Sequence, residues 1–223
     1  MAVEVKICGI KTPEALEAAI AAGASHFGMV FFPRSPRHVT LDEARRLADK
    51  ARGRILSVAL TVEAADEDIL AILKAANPDL LQLHGRETPE RTAQTRALAG
   101  RPVIKAVSID KDGDAERASI YRDAADHILF DAKPPRNAAN ALPGGNGLAF
   151  DWRLLAPVKG KMPFILSGGL TPDNVAEAIA RTGAAMVDVS SGVETAPGEK
   201  DAALIRRFVE AARAPALEEI ANG

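Results

Sequence analysis

The sequence predicts a single-domain α/β protein folded as a closed (β/α)₈ barrel, the TIM-barrel architecture. Three observations carry this. Eight short apolar runs alternate with eight helix-forming stretches along 223 residues. The runs are continuously apolar rather than alternating, as strands are when both faces of a parallel sheet are covered. One strand–turn–helix unit also occurs twice. Cys8-Gly9-Ile10-Lys11-Thr12-Pro13 reappears as Ser167-Gly168-Gly169-Leu170-Thr171-Pro172, followed in both copies by Ala-Ile-Ala (19–21, 178–180) and Gly-Ala (23–24, 183–184). A doubly wound open sheet is the competing architecture, and the repeated βα unit favours the closed ring. No linker or change of composition splits the chain, so the barrel is read as residues 1–213, with 214–223 as a C-terminal tail.

The elements follow in order. Val3 to Ile7 reads as the first strand, and Thr12-Pro13 opens a helix that runs through Ala22 to a cap at Gly23. His26 to Phe31 is the second strand, and the loop Phe32-Pro33-Arg34-Ser35-Pro36-Arg37 holds two prolines and cannot be regular. Thr40 with Glu43 forms a capping box for a helix ending near Ala51. Ile55 to Leu60 is the third strand, Ala64 to Ala76 the third helix, and Leu80 to Leu83 the fourth strand, closed by His84-Gly85. Thr88-Pro89 opens the fourth helix, Val103 to Val107 is the fifth strand, and a helix is expected over Asp114 to Arg122. His127 to Phe130 is the sixth strand, ending at Asp131. A long irregular stretch, 132–147, then carries Pro134, Pro135 and Pro143 with Gly144, Gly145 and Gly147; loops of that length in a compact domain are functional or disordered. Phe150-Asp151-Trp152 begins a sixth helix and Phe164 to Leu166 is the seventh strand. Thr171 is expected to cap the next helix, with Pro172 at its first position and Gly183 at its end. Met186 to Val189 is the eighth strand, and a last helix spans about Asp201 to Arg213.

Composition narrows the function. There are 28 basic and 30 acidic residues, and aromatics make up 4%, so neither a basic footprint nor a base-stacking platform for nucleic acid is present. No apolar run approaches the roughly 18 residues of a membrane helix, and the N-terminus lacks a signal pattern. The single cysteine, Cys8, rules out an intrachain disulfide and suits a reducing, cytoplasmic compartment. The sequence leaves monomer and homodimer both open.

A barrel of this kind works at the C-terminal ends of its strands and binds phosphate after strands seven and eight. Those turns are Ser167-Gly168-Gly169 and Ser190-Ser191-Gly192, small residues that leave backbone N–H groups bare for an anion. Strands six and one flank the pair in a closed ring, which puts Asp131 on one side of the phosphate and Cys8 on the other. A group that gives a proton and a group that takes one are what a proton-transfer isomerase needs. Each residue also has a plainer reading: a buried small hydrophobe for Cys8, a cap for Asp131, a solvated loop cation for Arg37. Position tips the balance. Cys8 lies ahead of a helix start, where the dipole favours thiolate, and prolines hold Arg37 as a candidate clamp for a carboxylate. His84 reads as a structural or substrate-binding group. A metal site would need several His and Asp ligands at neighbouring strand ends, and the third strand ends Ala59-Leu60-Thr61, so no metal is expected.

Taken together, the segments resemble the phosphoribosylanthranilate isomerase family. The carrying segments are Lys6-Ile7-Cys8-Gly9, the Phe32 to Arg37 loop, Gln82-Leu83-His84-Gly85, Phe130-Asp131, the glycine-rich loop into Phe150-Asp151-Trp152, Ser167-Gly168-Gly169-Leu170, and Val187 to Glu194. The resemblance implies a ribulose-phosphate-binding type of barrel, a phosphorylated sugar substrate, no cofactor, and an Amadori rearrangement in tryptophan biosynthesis. It makes Cys8 the general base and Asp131 the general acid. It sets Arg37 against the anthranilate carboxylate, Gly168, Gly169, Ser191 and Gly192 around the phosphate, and His84 and Asp188 along the sugar. Two places depart from the family pattern: the third strand, Ser57 to Val62, and Ser167, where alanine is usual. A sibling aminoaldose isomerase would be expected to carry a carboxylate in place of Cys8. A silent phosphate-binding protein would not need a thiol and a carboxyl group facing each other.

Overall fold

The computed structural model describes residues 3–133, 144, 147 and 149–221. Eight parallel strands close into a ring in chain order: β1 (Glu4–Cys8), β2 (His26–Phe31), β3 (Leu56–Thr61), β4 (Leu80–Leu83), β5 (Val103–Ile109), β6 (His127–Ala132), β7 (Ile165–Leu166) and β8 (Met186–Val189). Closure is made by β1, which pairs with β2 on one edge and β8 on the other, setting Lys6 opposite both His26 and Asp188. The ring excludes the open-sheet alternative.

Because successive strand residues point to opposite faces, each strand feeds two cores. Val58, Leu80, Ile104, Leu129, Ile165 and Met186 fill the barrel interior toward the strands' N-terminal ends. The intervening residues, among them Ile7, Phe27, Leu81, Phe130 and Val187, face the helices and pack with Leu16, Leu47, Ile69, Val175 and Phe208. Cys8, Val30 and Leu60 make a small apolar cluster at the C-terminal mouth. This division is why the strands read as unbroken apolar runs.

The first, second and fourth helices start where their caps predict. Thr12 accepts from the Ala15 N–H at 3.2 Å and opens α1 (Pro13–Ala22), which ends at Gly23 with φ +82°. The Thr40–Glu43 capping box opens α2 (Leu41–Ala51). Helix α3 (Asp66–Ala76) ends at Asn77 in the left-handed region, and Thr88 caps α4 (Pro89–Ala99). Later come α5 (Val175–Thr182) and α6 (Ala202–Ala221), whose backbone continues past Arg213 and whose start is capped by Asp201 accepting from Leu204 N–H at 2.8 Å.

Three expectations are corrected. The segment expected as a helix over Asp114 to Arg122 is a 3₁₀ turn, Glu116–Tyr121. The Asp114 carboxylate accepts the backbone N–H groups of Asp110 (3.0 Å) and Lys111 (3.1 Å), and this local bonding competes with a regular helix start. The sixth helix is likewise a short 3₁₀ turn, Trp152–Leu155, followed by Pro157, which has no N–H to extend it. Thr171 does not cap α5. Asn174 takes the Thr171 N–H at 2.8 Å and donates to the Gly169 carbonyl at 3.0 Å, which holds residues 171–174 as a turn and delays the helix to Val175.

One feature was not foreseen: a two-stranded antiparallel hairpin after β8, made of β9 (Glu194–Ala196) and β10 (Glu199–Lys200). Its turn residue Gly198 has φ +86° and lies against the Pro36 carbonyl, so the hairpin tip rests on the Phe32–Arg37 loop. Among the described residues no helix is long and apolar enough to cross a membrane. Most of the 132–147 stretch lies outside the described residues.

Candidate active site

At the C-terminal mouth of the barrel lies a cavity of about 760 Å³, mouth space included. Its walls include Cys8, Arg37, His84, Asp131, Gly168, Gly169, Asp188 and Ser191, so one cavity collects all but one of the residues singled out in the sequence. The exception is Gly192, which sits just behind the wall, where a methyl group would overlap the Leu170 carbonyl oxygen. Apolar side chains from the mouth, Val30, Phe32, Leu60 and Val62, line another part of the wall. Gly144 and Gly147, the described glycines of the long loop, complete it.

Strand alternation delivers Lys6 and Cys8 to the barrel interior from β1, and Asp188 from β8. Lys6 is fully buried, and its Nζ donates to Asp188 Oδ1 at 2.8 Å. Ser167 donates to the other oxygen, Oδ2, at 3.2 Å, so the serine found where alanine was expected gives the buried carboxylate a second partner. Burial alone would pull Lys6 down; Asp188, with help from Cys8, outweighs it and holds Lys6 above the ordinary lysine value.

Cys8 is buried, and burial pushes its thiol up from the ordinary value. Lys6 and Lys200 pull the other way and offset only part of the rise, to which Asp188 adds. The expectation that a helix dipole favours the thiolate is therefore corrected. Helix α1 begins at Pro13, beyond the Gly9–Thr12 turn, and the dipole acts only near the first turn. Gly28, opposite Cys8 on β2, leaves the thiol room: a methyl group there would stand 3.1 Å from Sγ.

Asp131, at the end of β6, is also buried. Its Oδ1 accepts the Ala132 N–H at 2.9 Å, and its Oδ2 meets His84 Nε2 at 3.1 Å. The Gln82 side-chain amide lies 2.8 Å from His84 Nδ1, so Gln82, His84 and Asp131 form one hydrogen-bonded line. Gln82 is fully buried and reaches His84 because both lie on the inward face of β4 and its extension.

The glycine turn after β7 has Gly168 at φ +88° and Gly169 at φ +63°. Neither N–H has a backbone partner among the described residues. The turn after β8, Ser191–Val193, is a single 3₁₀ turn facing it. Bare N–H groups on two adjacent turns form a ready anion site.

Arg37, also in the cavity wall, is clamped. Its Nε donates to Glu194 Oε1 and its Nη2 to Glu194 Oε2, both at 2.8 Å. Gly9, at φ +80°, lets the Arg37 stem pass, since a methyl group would lie 2.5 Å from its Cδ. Lys200 of β10 also reaches Glu194, at 2.6 Å. Burial raises Glu194, but Arg37 and Lys200 more than reverse this and hold it low; burial pulls Lys200 down, and Glu194 offsets this only in part. Sequence reasoning assigned no role to Lys6, Gln82, Glu194 or Lys200. The signal for Lys6 was available, as a lysine on the inward face of an apolar strand. Lys200 gave none, because the hairpin that carries it was not foreseen.

The comparisons with known proteins agree with this fold. The family model for N-(5'phosphoribosyl)anthranilate (PRA) isomerase matches residues 5–211. An N-(5'-phosphoribosyl)anthranilate isomerase from Brucella canis is 54% identical over 211 residues, 95% of this chain and 94% of that protein. The crystal structure of phosphoribosyl anthranilate isomerase from Thermotoga maritima superposes with a TM-score of 0.84 at 37% identity, over 95% of this chain and 99% of that one. A crystal structure of phosphoribosyl anthranilate isomerase in complex with reduced 1-(o-carboxyphenylamino)-1-deoxyribulose 5-phosphate gives a TM-score of 0.82 at 35% identity, over the same 95% and 99%. A closed (β/α)₈ ring with this mouth, matched across nearly its whole length, belongs to the N-(5'-phosphoribosyl)anthranilate isomerase family.

Proposed function

We propose that Asp131 and Cys8 are the general acid and general base for the activity of this family: the Amadori rearrangement of N-(5-phosphoribosyl)anthranilate to 1-(2-carboxyphenylamino)-1-deoxyribulose 5-phosphate in tryptophan biosynthesis. The observation that carries the assignment is their placement. They stand in one cavity on the strands that flank β7 and β8, whose end turns form the anion cradle. A phosphate held by Gly168, Gly169, Ser191 and Gly192 fixes one end of the substrate, and the sugar then lies between the carboxyl group and the thiol.

The reaction needs no outside electrons. Asp131 gives its proton to the furanose ring oxygen, the C1–O bond breaks, and the nitrogen lone pair forms the C1=N bond of a protonated imine. That imine acidifies the C2–H. Cys8, as thiolate, takes the C2 proton; the C–H electrons become a C1=C2 bond and the C=N electrons return to nitrogen. The enolamine gains a proton at C1 and loses the one on its C2 oxygen, leaving the ketone. His84, hydrogen-bonded through Nε2, steadies the Asp131 carboxylate after the proton has left. Asp188 lines the sugar, and with its buried partner Lys6 it sets the charge around Cys8. Arg37 faces the anthranilate carboxylate.

Monomer and homodimer are both compatible with this reading. We assign the cytosol as compartment, because a thiol base must stay reduced.

Turnover of phosphoribosylanthranilate by the wild type, Cys8→Ala and Asp131→Asn is the direct test. Each variant should lose about 10²- to 10⁴-fold in kcat, the usual worth of a positioned acid or base. Near-normal rates in both would remove these two residues from the mechanism.

A further inference from the structure

We propose that Lys200, through Glu194 and Arg37, is the residue that gives the carboxylate end of the cavity its net positive charge and so sets preference for a carboxylated aromatic amine. The inference rests on the reading that Arg37 faces the substrate carboxylate. Arg37 alone does not supply a free positive charge. Two of its nitrogens lie at 2.8 Å from the two oxygens of Glu194, a matched fork that sums to zero. The side chains of Arg37 and Glu194 are 6% and 4% exposed, so water does little to separate the two charges. Arg37 lines the cavity and Glu194 does not, so a substrate carboxylate would meet an attraction from Arg37 that Glu194, paired with it, reduces.

Lys200 changes that sum. Its side chain is 1% exposed, and its Nζ lies 2.6 Å from Glu194 Oε1, 3.0 Å from the Ser190 carbonyl oxygen and 3.3 Å from Ser190 Oγ. Ser190 Oγ gives its own hydrogen to the Cys8 carbonyl at 3.1 Å, so toward Lys200 it can only accept. All three neighbours of Nζ are therefore acceptors, which is the surrounding of an ammonium. One arginine, one glutamate and one lysine, all desolvated, leave one positive charge at the wall formed by Arg37 and Ser190. Lys11 also reaches this loop, at 3.0 Å from the Pro36 carbonyl, but from the exposed side, where solvent screens it. The hairpin β9–β10 acquires a purpose in this scheme: it sets Glu194 and Lys200 opposite each other at its open end, beside the Arg37 side chain.

The test compares kcat/KM for phosphoribosylanthranilate with that for the analogue built on aniline, which lacks the carboxylate. The specificity ratio is the readout, because a general loss of structure lowers both values together. Lys200→Met should lower the ratio about ten- to a hundredfold, the worth of a contact to a charged group, mainly through KM. Lys200→Arg should keep it. Lys200→Met combined with Glu194→Gln restores one net charge and should bring the ratio back to within a few-fold of wild type. An unchanged ratio in Lys200→Met, or no recovery in the double variant, overturns the proposal. Arg37→Met separates the two readings. If it leaves the ratio unchanged, the carboxylate does not meet Arg37 and both fall. If it lowers the ratio while Lys200→Met does not, only the role of Lys200 falls.

Discussion

Cys8 sits between buried charges of opposite sign, and their balance can be measured at the single residue. Burial pushes the thiol up, Lys6 and Lys200 pull it down, and Asp188 pushes it up again. Alkylation by iodoacetamide, a neutral reagent, follows the thiolate fraction with pH. Its midpoint in the wild type should lie above that of an ordinary thiol. Asp188→Asn removes an anion and should lower the midpoint; Lys6→Met removes a cation and should raise it. Shifts of the same sign in both variants would show that the electrostatic account of the thiol is wrong. Legibility at this scale divides along sequence distance. Cys8 and Asp131 were readable because a barrel rule places strand ends together. The Gln82–His84–Asp131 line was half readable, since a glutamine inside an apolar run signals an inward polar partner without naming it. The Arg37–Glu194 pair joins residues 157 positions apart, and only the folded chain pairs them.

At the scale of elements, caps were legible except at Thr171, and short turns were not. Thr12, Thr40, Thr88 and Gly183 act within a few residues of themselves, so the sequence carries their whole reason. The 3₁₀ turns arise where a side chain out-competes the helix, as Asp114 does, and that competition depends on the packing around it. The turns after β7 and β8 carry the element-scale prediction. At Gly168 a methyl group would be strained at φ +88° and would stand 2.7 Å from Ala132 N and 3.1 Å from Asp131 Oδ1. At Gly192 it would overlap the Leu170 carbonyl and force the two turns apart. Gly100 also has positive φ, +59°, but has nothing within 4 Å, so Gly100→Ala should cost only about 1 kcal/mol of stability. Inorganic phosphate should raise the melting temperature of the wild type and of Gly100→Ala in a saturable way. It should do little for Gly168→Ala or Gly192→Ala. Phosphate stabilisation retained in both of those variants would place the anion site elsewhere.

For the whole molecule, ring closure was legible because continuous apolar strands and a repeated βα unit constrain the topology, whereas the ion pairs that lock strand ends to loops were not. Those pairs decide how the barrel responds to acid. Glu87 accepts from Lys105 Nζ at 2.9 Å and from the N–H groups of Glu63 and Gly85, fixing the loop that carries His84. Burial raises Glu87, but Lys105, with the N–H groups of Glu63 and of Glu87 itself, outweighs it and holds its carboxyl below the ordinary 4.5. Glu194, against Arg37 and Lys200, is held below the same value. A carboxyl group lowered in the folded state stabilises fully above its unfolded value, and the contribution is lost as pH falls through the folded one. The urea midpoint should therefore hold near neutrality and fall progressively below about pH 4.5. Glu87→Gln should behave differently in two ways. At neutral pH it leaves Lys105 buried without its anion, at a cost of about 3–5 kcal/mol. In acid its midpoint should decline less than that of the wild type, because one of the titrating groups is gone. Equal slopes in the two proteins, measured by urea unfolding from pH 7 to pH 3, would exclude Glu87 as a source of acid sensitivity.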